Sequence, residues 1–468
     1  MALVLKLALA ASLVLNGVLV WAYQTAQQEA ARTQADVERF QTQLEELSSD
    51  LRASRAETAQ LRTQYSGESG TVSEAPSGQT APPEALAILH GIETDVTTIR
   101  ALMPKQDVPI VFFDHEQLRQ YFQQSFDKEY SPEERVEDQK LLSYIGLIPA
   151  SFDLPSFLVD LLGEQVVGFY DDDLKRMALI GEASDLSPDE RITFAHEYTH
   201  TLQDQHFDLK QLNPPDAEND DRSLAVQALV EGDATLLMGL WAEQHLTRSE
   251  RDEAARSGGD DTALRQAPLV LRQELLFPYT DGLRFVRRLY DQGGYAAVDQ
   301  AFRDPPGSTE QILHPEKYLQ RQEPNVIDLA STDQILGPEW TDVSSNTMGE
   351  LDLRVLIEQF TDRQTANRAA AGWGGDRYRL VERSDGQLGF ILQTSWDTAT
   401  DADEFATALG QGLRKRFGAD RADSSTGDRV LIPSAGQASM IVKRGSDVLL
   451  VMGPDEATLT RATNALGF

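Results

Sequence analysis

Two histidines and a glutamate, His196, Glu197 and His200, stand together in the run HEYTH. Residues four apart on an α-helix project from the same face, so this spacing lets two imidazoles reach one point. The chain has only seven histidines in 468 residues, so the pattern rarely arises by chance. The segment just before it, Ser187–Glu190 (SPDE), is typical of a capping box with proline at the first helical position. We therefore predict a helix that begins there and presents both histidines.

That arrangement suits a hydrolytic zinc site. Two imidazoles four residues apart share one tetrahedral ion, and the glutamate beside the first histidine reaches the water on it. Zinc lowers the pKa of such a water to about 7, and a carboxylate then takes its proton as the water attacks a carbonyl. We predict His196 and His200 as zinc ligands and Glu197 as the general base. The alternative is a helix that carries two surface histidines.

A third protein ligand is expected, because a hydrolytic zinc usually has three and leaves the fourth position to water. Glu231 is the first candidate: residues 223–240 predict a second apolar helix, on which a buried carboxylate needs a cationic partner. His206 is the second, but zinc sites with a third histidine at that spacing have a glycine midway. Here Gln203 holds that position, so the helix continues and turns His206 away from the ligand face. We therefore prefer Glu231.

The motif with its downstream EGDA (231–234) resembles the gluzincin class of zinc metallopeptidases, to which thermolysin belongs. Residues 196–209 (HEYTHTLQDQHFDL) resemble in particular a bacterial extracytoplasmic group of that class, and the similarity extends over about residues 105–380. The resemblance implies a mostly helical zincin-like domain with a small β-sheet, with His196, His200 and Glu231 as ligands and Glu197 as the base.

One position departs from this class. Thermolysin-like enzymes have an aspartate four residues after the ligand glutamate, where this chain has Thr235. Ligand histidines normally donate their other N–H to a carboxylate or carbonyl. Asp204 and Asp233 are the candidates for that role here. Either could instead be a solvated helix charge.

The substrate-binding parts are less sharply indicated. Zincins hold substrate along an edge strand ahead of the zinc helix, and residues 166–170 or 177–180, which predict a strand–turn–strand, would supply it. A hairpin that only packs under the helix is the alternative. An electrophilic partner for the oxyanion is also expected. Tyr279, His314 and Tyr318 are the candidates, and the sequence does not choose among them.

The amino terminus is apolar from Ala2 to Tyr23 except at Lys6 and Asn16, which is about the length that crosses a bilayer core. It is a signal peptide or an uncleaved anchor. Small-residue cleavage sites are poor, and a chain without cysteine has no lipobox, so we predict an anchor at residues 1–23. Lys6 would then stay in the cytoplasm, which predicts a single-pass protein of the cell membrane with its catalytic domain outside the cytoplasm.

Four further segments are predicted. Residues 24–65 carry a heptad seam and predict a short coiled-coil stalk, through which the chain would form a homo-oligomer; a single solvated helix is the alternative. Residues 66–83 predict a flexible linker. Residues 84–371 would form the metallopeptidase domain, and residues 372–468 predict a β-α-β-β-β-α subdomain. The predicted fold class is therefore α+β.

Composition narrows the function. The net charge of −33 argues against binding to nucleic acid, and the lack of cysteine leaves only nitrogen and oxygen ligands for a metal. We therefore predict a membrane-anchored zinc peptidase that acts on a peptide or protein substrate. The alternatives are an envelope scaffold with a structural zinc and a zinc amidase that acts on the cell wall.

Overall fold

The structure is a computed structural model that describes residues 78–80, 82–165, 168–180, 186–214, 219–257, 262–418, 424–426, 428–434 and 436–468. The predicted anchor (1–23), the predicted stalk (24–65) and residues 66–77 of the predicted linker lie outside these residues. Within them helices predominate and the strands form two sheets whose pairing is mostly antiparallel, which is consistent with the predicted α+β class.

The first part of the described chain combines a small sheet with many helices. Its strands are β1 (Gln79–Thr80), β2 (Ile110–Phe113), β3 (Gly168–Asp171) and β4 (Arg176–Ile180). Its helices are α1 (Pro83–Arg100), α2 (His115–Glu129), α3 (Pro132–Ile145), α4 (Leu154–Gln165), α5 (Pro188–Phe207), α6 (Leu209–Leu212), α7 (Asp220–His245), α8 (Arg248–Ser257), α9 (Thr262–Gln266), α10 (Leu269–Arg303), α11 (Thr309–Leu313) and α12 (Pro315–Leu319).

The small sheet has the strand order β1-β2-β4-β3. Strands β3 and β4 pair antiparallel around the turn at residues 172–175, which confirms the predicted strand–turn–strand over the described residues. Among the described residues β3 pairs with β4 alone, so it forms one edge of this sheet, and helix α5 packs against it. An unpaired strand edge presents backbone N–H and C=O groups to whatever lies beside it. Here that neighbour is the HEYTH helix.

The second part is built on an antiparallel sheet. Its elements are α13 (Thr332–Leu336), β5 (Trp340–Asn346), α14 (Gly349–Glu358), α15 (Arg363–Ala370), β6 (Trp373–Arg383), β7 (Leu388–Trp396), α16 (Ala399–Phe417), β8 (Ser424–Thr426), β9 (Arg429–Ile432), β10 (Ala438–Arg444), β11 (Asp447–Gly453) and α17 (Glu456–Ala465). The strand order is β5-β6-β7-β11-β10-β9-β8. The β-α-β-β-β-α order predicted for residues 372–468 is found from β7 onward, and strands β6 and β8 are additions to it.

The sheet also begins earlier than the predicted subdomain boundary at residue 372. Strand β5 pairs antiparallel with β6 along its whole length, so Trp340–Asn346 belongs to the C-terminal sheet. The sequence of β5, WTDVSSN, is mostly polar and only its first residue is buried. It therefore lacks the alternation of apolar and polar residues by which a strand is recognised in sequence.

The two parts share a hydrophobic core. One cluster of buried side chains runs from α2, α3 and α7 through α14 to strands β6, β7 and β11. Polar contacts cross the same boundary: the Tyr144 hydroxyl donates to the Leu388 carbonyl (2.9 Å), and Arg416 donates to the carbonyls of Tyr144 and Ile145. The C-terminal sheet is thus packed onto the helical part rather than tethered to it.

Helix α7 lies at the centre of the helical part. By length and composition it is, within the described residues, the one helix that could cross a membrane, but 94% of its most apolar window is buried inside the fold. It crosses α10 closely, and a Cβ at Gly232 would lie only 2.3 Å from the carbonyl oxygen of Gly282. Such backbone contact requires glycine on both helices. It brings the neighbours of Gly232 on α7 against α10.

Candidate metal centre

Helix α5 begins as the sequence predicts. Ser187 accepts a hydrogen bond from the Glu190 backbone N–H, and the Glu190 carboxylate accepts one from the Ser187 N–H (2.7 Å). Pro188 occupies the first helical position. These contacts satisfy backbone N–H groups that no helical carbonyl reaches, which fixes where the helix starts. The HEYTH run consequently lies in the middle of a 20-residue helix, away from its frayed ends.

Three side chains from α5 and α7 meet at one point. The Nε2 atom of His196 lies 3.1 Å from a carboxylate oxygen of Glu231, and that of His200 lies 3.4 Å from the same oxygen. The two Nε2 atoms are 3.0 Å apart. All three ligand atoms fall within 4.8 Å of one another, and all three residues are buried. The predicted set of His196, His200 and Glu231 is thus brought together by the fold.

The donor set fits a metal ion. Two imidazole nitrogens and one carboxylate oxygen are the ligands of many catalytic zinc sites. Without an ion, a buried carboxylate must be compensated by a proton on an imidazole. Burial alone would lower the pKa of His200, but the Glu231 carboxylate outweighs it and raises that pKa to about 9. Burial also lowers the pKa of His196, to about 4, so without an ion His196 is neutral at pH 7 while His200 is protonated.

Glu197 lies beside this cluster and faces the small sheet. Its carboxylate accepts a hydrogen bond from the backbone N–H of Tyr170 on β3 (2.9 Å). Its side chain is buried, and its negative charge contributes to raising the pKa values of His200 and Tyr279. The predicted base is therefore close to the ligands and to the edge strand. The Tyr170 N–H points away from β4, because it bonds to α5 instead of to the ladder.

Tyr279 is the one predicted oxyanion candidate that the fold brings to this cluster. Its ring lies 6.3 Å from that of His196, centroid to centroid, and its hydroxyl hydrogen-bonds to Glu231. Burial raises the pKa of Tyr279 well above its ordinary value, and the charges of Glu231 and Glu197 raise it further. The hydroxyl therefore keeps its proton, which it donates to the Glu231 carboxylate.

His314 and Tyr318 are placed elsewhere, so these two candidates are corrected. His314 pairs with Glu350 (3.0 Å), and the Tyr318 hydroxyl donates to the Asp304 carbonyl (2.8 Å). His314 lies between α11 and α12, and Tyr318 lies in α12, both beyond α10 in the chain. The sequence shows that His314 and Tyr318 follow the ligand helices, but it does not predict the direction of α10, which determines where these two residues lie.

His206 is not part of the cluster, so the alternative ligand is also corrected. Helix α5 continues to Phe207, and the Nε2 atom of His206 lies 2.8 Å from the Met103 carbonyl at the protein surface. Ten residues of unbroken helix separate it from His196, which rotates it off the ligand face. This agrees with the preference for Glu231.

The partner of a ligand histidine is a residue that the sequence analysis missed. The Nδ1 atom of His200 lies 2.8 Å from the side-chain oxygen of Gln203, one turn further along α5. Of the predicted candidates, Asp233 accepts a hydrogen bond from Gln203 (2.8 Å) and is therefore linked to His200 through Gln203. Asp204 is corrected: it bonds to the Tyr170 hydroxyl and to Lys175. The spacing of three residues from His200 to Gln203 was the available signal.

Comparisons with known proteins add little to this geometry. A family model described as a domain of unknown function (DUF8575) matches residues 336–463, which is the C-terminal part and excludes the cluster on α5 and α7. Among curated proteins, none matches this chain. A crystal structure described as "a putative hydrolase with a novel fold" from Chloroflexus aurantiacus is similar over 53% of this chain and 92% of its own, at 17% identity and a TM-score of 0.35. A similarity that distant supports neither a fold nor a function for this chain.

Proposed function

We propose that this protein is a zinc-dependent peptidase of gluzincin type. The observation that carries the proposal is the position of Glu197 beside the cluster of His196, His200 and Glu231. A site that only stabilises a fold needs ligands but no general base beside them. A hydrolase needs both, because a base must take a proton from the attacking water.

Each side chain has a distinct role in this proposal. His196, His200 and Glu231 would hold zinc, which when bound supplies Lewis acidity toward water and a carbonyl group. Glu197 takes the proton from the attacking water and gives it to the leaving amine. Tyr279 donates a hydrogen bond to the oxygen that becomes negative in the transition state. The outer edge of β3 would align an extended peptide through backbone hydrogen bonds once Glu197 releases the Tyr170 N–H.

A structural zinc site is the second candidate, and burial favours it. His196, Glu197, His200 and Glu231 are each at most 2% exposed. Structural zinc sites are closed, whereas catalytic ones keep a position for water and substrate. Hydrolysis therefore requires the contact between Glu197 and the Tyr170 N–H to open, because the substrate must reach the base from the β3 edge.

Replacing Glu197 by glutamine separates the two candidates. The amide has the same size but cannot take a proton, so the peptidase proposal predicts lost hydrolysis with zinc content and melting temperature retained. Casein and purified peptidoglycan, assayed side by side with the full chain, distinguish a peptidase from a cell-wall amidase. Hydrolysis of either substrate that survives in Glu197→Gln contradicts the assigned base, and no hydrolysis by the wild type favours the structural site.

We also propose that the peptidase is anchored at the cell membrane by residues 1–23, with the catalytic part outside the cytoplasm. The support is the apolar run from Ala2 to Tyr23, with Lys6 at its start. Protease added to intact cells tests this placement. Digestion of the catalytic part is expected, and its protection until the cells are lysed would contradict the proposal.

A further inference from the structure

His200 has a contact on each side of its ring. Its Nε2 atom faces His196 and Glu231, while its Nδ1 atom lies 2.8 Å from the side-chain oxygen of Gln203. Gln203 is fully buried, one turn beyond His200 on α5. An imidazole that binds a metal through one nitrogen carries its proton on the other. The tautomer of His200 therefore depends on which atom of the Gln203 amide faces its ring.

The other contacts of the Gln203 amide determine its orientation. Its nitrogen lies 3.0 Å from the Val230 carbonyl oxygen and 2.8 Å from a carboxylate oxygen of Asp233. Both of these atoms accept hydrogen bonds and neither donates, so the amide must present its NH₂ to them. Its oxygen is then the atom that faces His200. An oxygen accepts, so His200 must carry a proton on Nδ1, and Nε2 is the nitrogen that can bind an ion once its own proton has left.

Asp233 is itself held in place, which keeps the amide from turning. The Nε of Arg100 donates to the same oxygen of Asp233 (3.0 Å), and Arg100 also pairs with Asp299 (2.7 Å). The Arg100 and Asp233 side chains are fully buried, and the guanidinium lies over the Tyr295 ring at 4.5 Å. The charge of Asp233 is thus balanced by Arg100 rather than by a metal. The amide of Gln203 on α5 is thus held by α7, and Asp233 on α7 is held in turn by Arg100 on α1 and, through Arg100, by α10.

We propose that Gln203 is the positioning residue of the candidate metal centre. Its amide, held by Asp233 and the Val230 carbonyl, fixes His200 in the tautomer that turns a bare Nε2 toward the ion. The inference rests on one part of the proposed function, the binding of zinc at this centre. It assigns to a neutral amide the task for which the resemblance implies a carboxylate. A carboxylate would fail at this position, because one of its oxygens would face two acceptors.

Zinc affinity of Gln203 variants tests this assignment. The full chain, purified with detergent present for its apolar N-terminal segment, is titrated with Zn²⁺ against a chelator. Gln203→Met keeps the length of the side chain but removes the acceptor, and Gln203→Glu keeps the acceptor but removes the donor. Both are expected to weaken zinc binding about 10- to 100-fold, the usual effect of losing a histidine's partner. Gln364→Glu, an exposed glutamine on α15, is the matched control and should bind as the wild type does.

A measurement on the wild type keeps the proposal open to refutation if a variant fails to fold. In the chain labelled with ¹⁵N-histidine and loaded with Zn²⁺, the His200 signals should show a protonated Nδ1 and an Nε2 without a proton. In Gln203→Met, the Nδ1 proton should exchange faster with water. Zinc ligation through Nε2 is sufficient for the first observation, whereas a purely structural role for Gln203 does not predict the faster exchange.

The outcomes separate this inference from the proposed function. A wild type that binds no zinc overturns both. A wild type that binds zinc, with both Gln203 variants binding equally well, overturns the positioning role alone. A protonated Nε2 on His200 in the zinc-loaded wild type likewise overturns it.

Discussion

Gly232 on α7 lies so close to Gly282 on α10 that a Cβ at position 232 would come within 2.3 Å of the Gly282 carbonyl oxygen. Gly282 is equally constrained, since a Cβ at position 282 would lie 2.2 Å from the carbonyl oxygen of Ala228 on α7. This contact decides how near the two helices approach. Glu231 directly precedes Gly232, and Tyr279 lies three residues before Gly282. The close approach of the two glycines therefore also sets the distance between the Glu231 carboxylate and the Tyr279 hydroxyl.

Gly232→Ala is therefore expected to force the helices apart. Overpacking of this kind costs about 1–3 kcal/mol of unfolding free energy, and displacement of Glu231 should weaken zinc binding at least about tenfold. Thermal unfolding and zinc titration measure the two effects. Gly91→Ala on α1 is the control, because a Cβ there would meet nothing within 4 Å. It should gain about 0.5–1 kcal/mol. Wild-type stability and zinc affinity in Gly232→Ala would contradict the account of the crossing.

Tyr279→Phe removes the hydroxyl that hydrogen-bonds to Glu231. If that hydroxyl stabilises the oxyanion, kcat should fall about 10²- to 10³-fold, while zinc affinity should stay within about tenfold of wild type. Steady-state hydrolysis of a peptide and zinc titration give both quantities. Tyr318→Phe is the matched control and should leave kcat unchanged, since its hydroxyl bonds to the Asp304 carbonyl. Equal kcat values for the two variants would remove Tyr279 from the reaction.

Glu274 on α10 makes stability depend on pH. Burial raises the pKa of Glu274 from 4.5 to about 8, and its hydrogen-bond partner Asp352 on α14 has a raised pKa as well. The folded chain thus holds a proton that the unfolded chain releases near pH 4.5. This contribution is fully present below that pH and is lost as pH rises through about 8.

Glutamine cannot ionise, so Glu274→Gln should abolish the loss of stability that the wild type shows as pH rises. Its melting temperature is expected to exceed that of the wild type at pH 8, by an amount that shrinks toward pH 5. A tenfold difference in proton affinity between the folded and unfolded chains corresponds to about 1.4 kcal/mol of stability. Thermal unfolding across this pH range provides the test, with Glu253→Gln on the exposed surface of α8 as the control. The idea fails if the variant and the wild type show the same pH dependence.

The sequence was sufficient for the parts of the site that local rules determine. A capping box marks the start of α5, and the four-residue spacing places His196 and His200 on one face. The choice of Glu231 over His206 followed from helix continuity, since Gln203 does not interrupt α5. Strands β7, β10 and β11 alternate or are continuously apolar, and this pattern predicts them as part of the β-α-β-β-β-α order.

The parts that could not be predicted depend on contacts between distant segments. Arg100 meets Asp233 across 133 positions of sequence, and no local pattern indicates that pairing. Asp204 is a reasonable sequence candidate for the partner of His200. Gln203, the residue before it, faces the imidazole instead, because one residue along a helix turns the side chain to another direction. Strand β5 escaped notice because it is polar and lies at a sheet edge, where only hydrogen bonding to β6 defines it.

Zinc per chain is the measurement that tests the central claim most directly. The full-length wild type, Glu231→Ala and His206→Ala are each loaded with excess Zn²⁺, desalted and analysed for metal. One zinc is expected in the wild type and in His206→Ala, with a large loss in Glu231→Ala, because among the described residues Glu231 is the carboxylate that could share a metal with His196 and His200. Zinc content unchanged by Glu231→Ala, or no zinc in the wild type, would contradict the proposed centre and the hydrolytic function built on it.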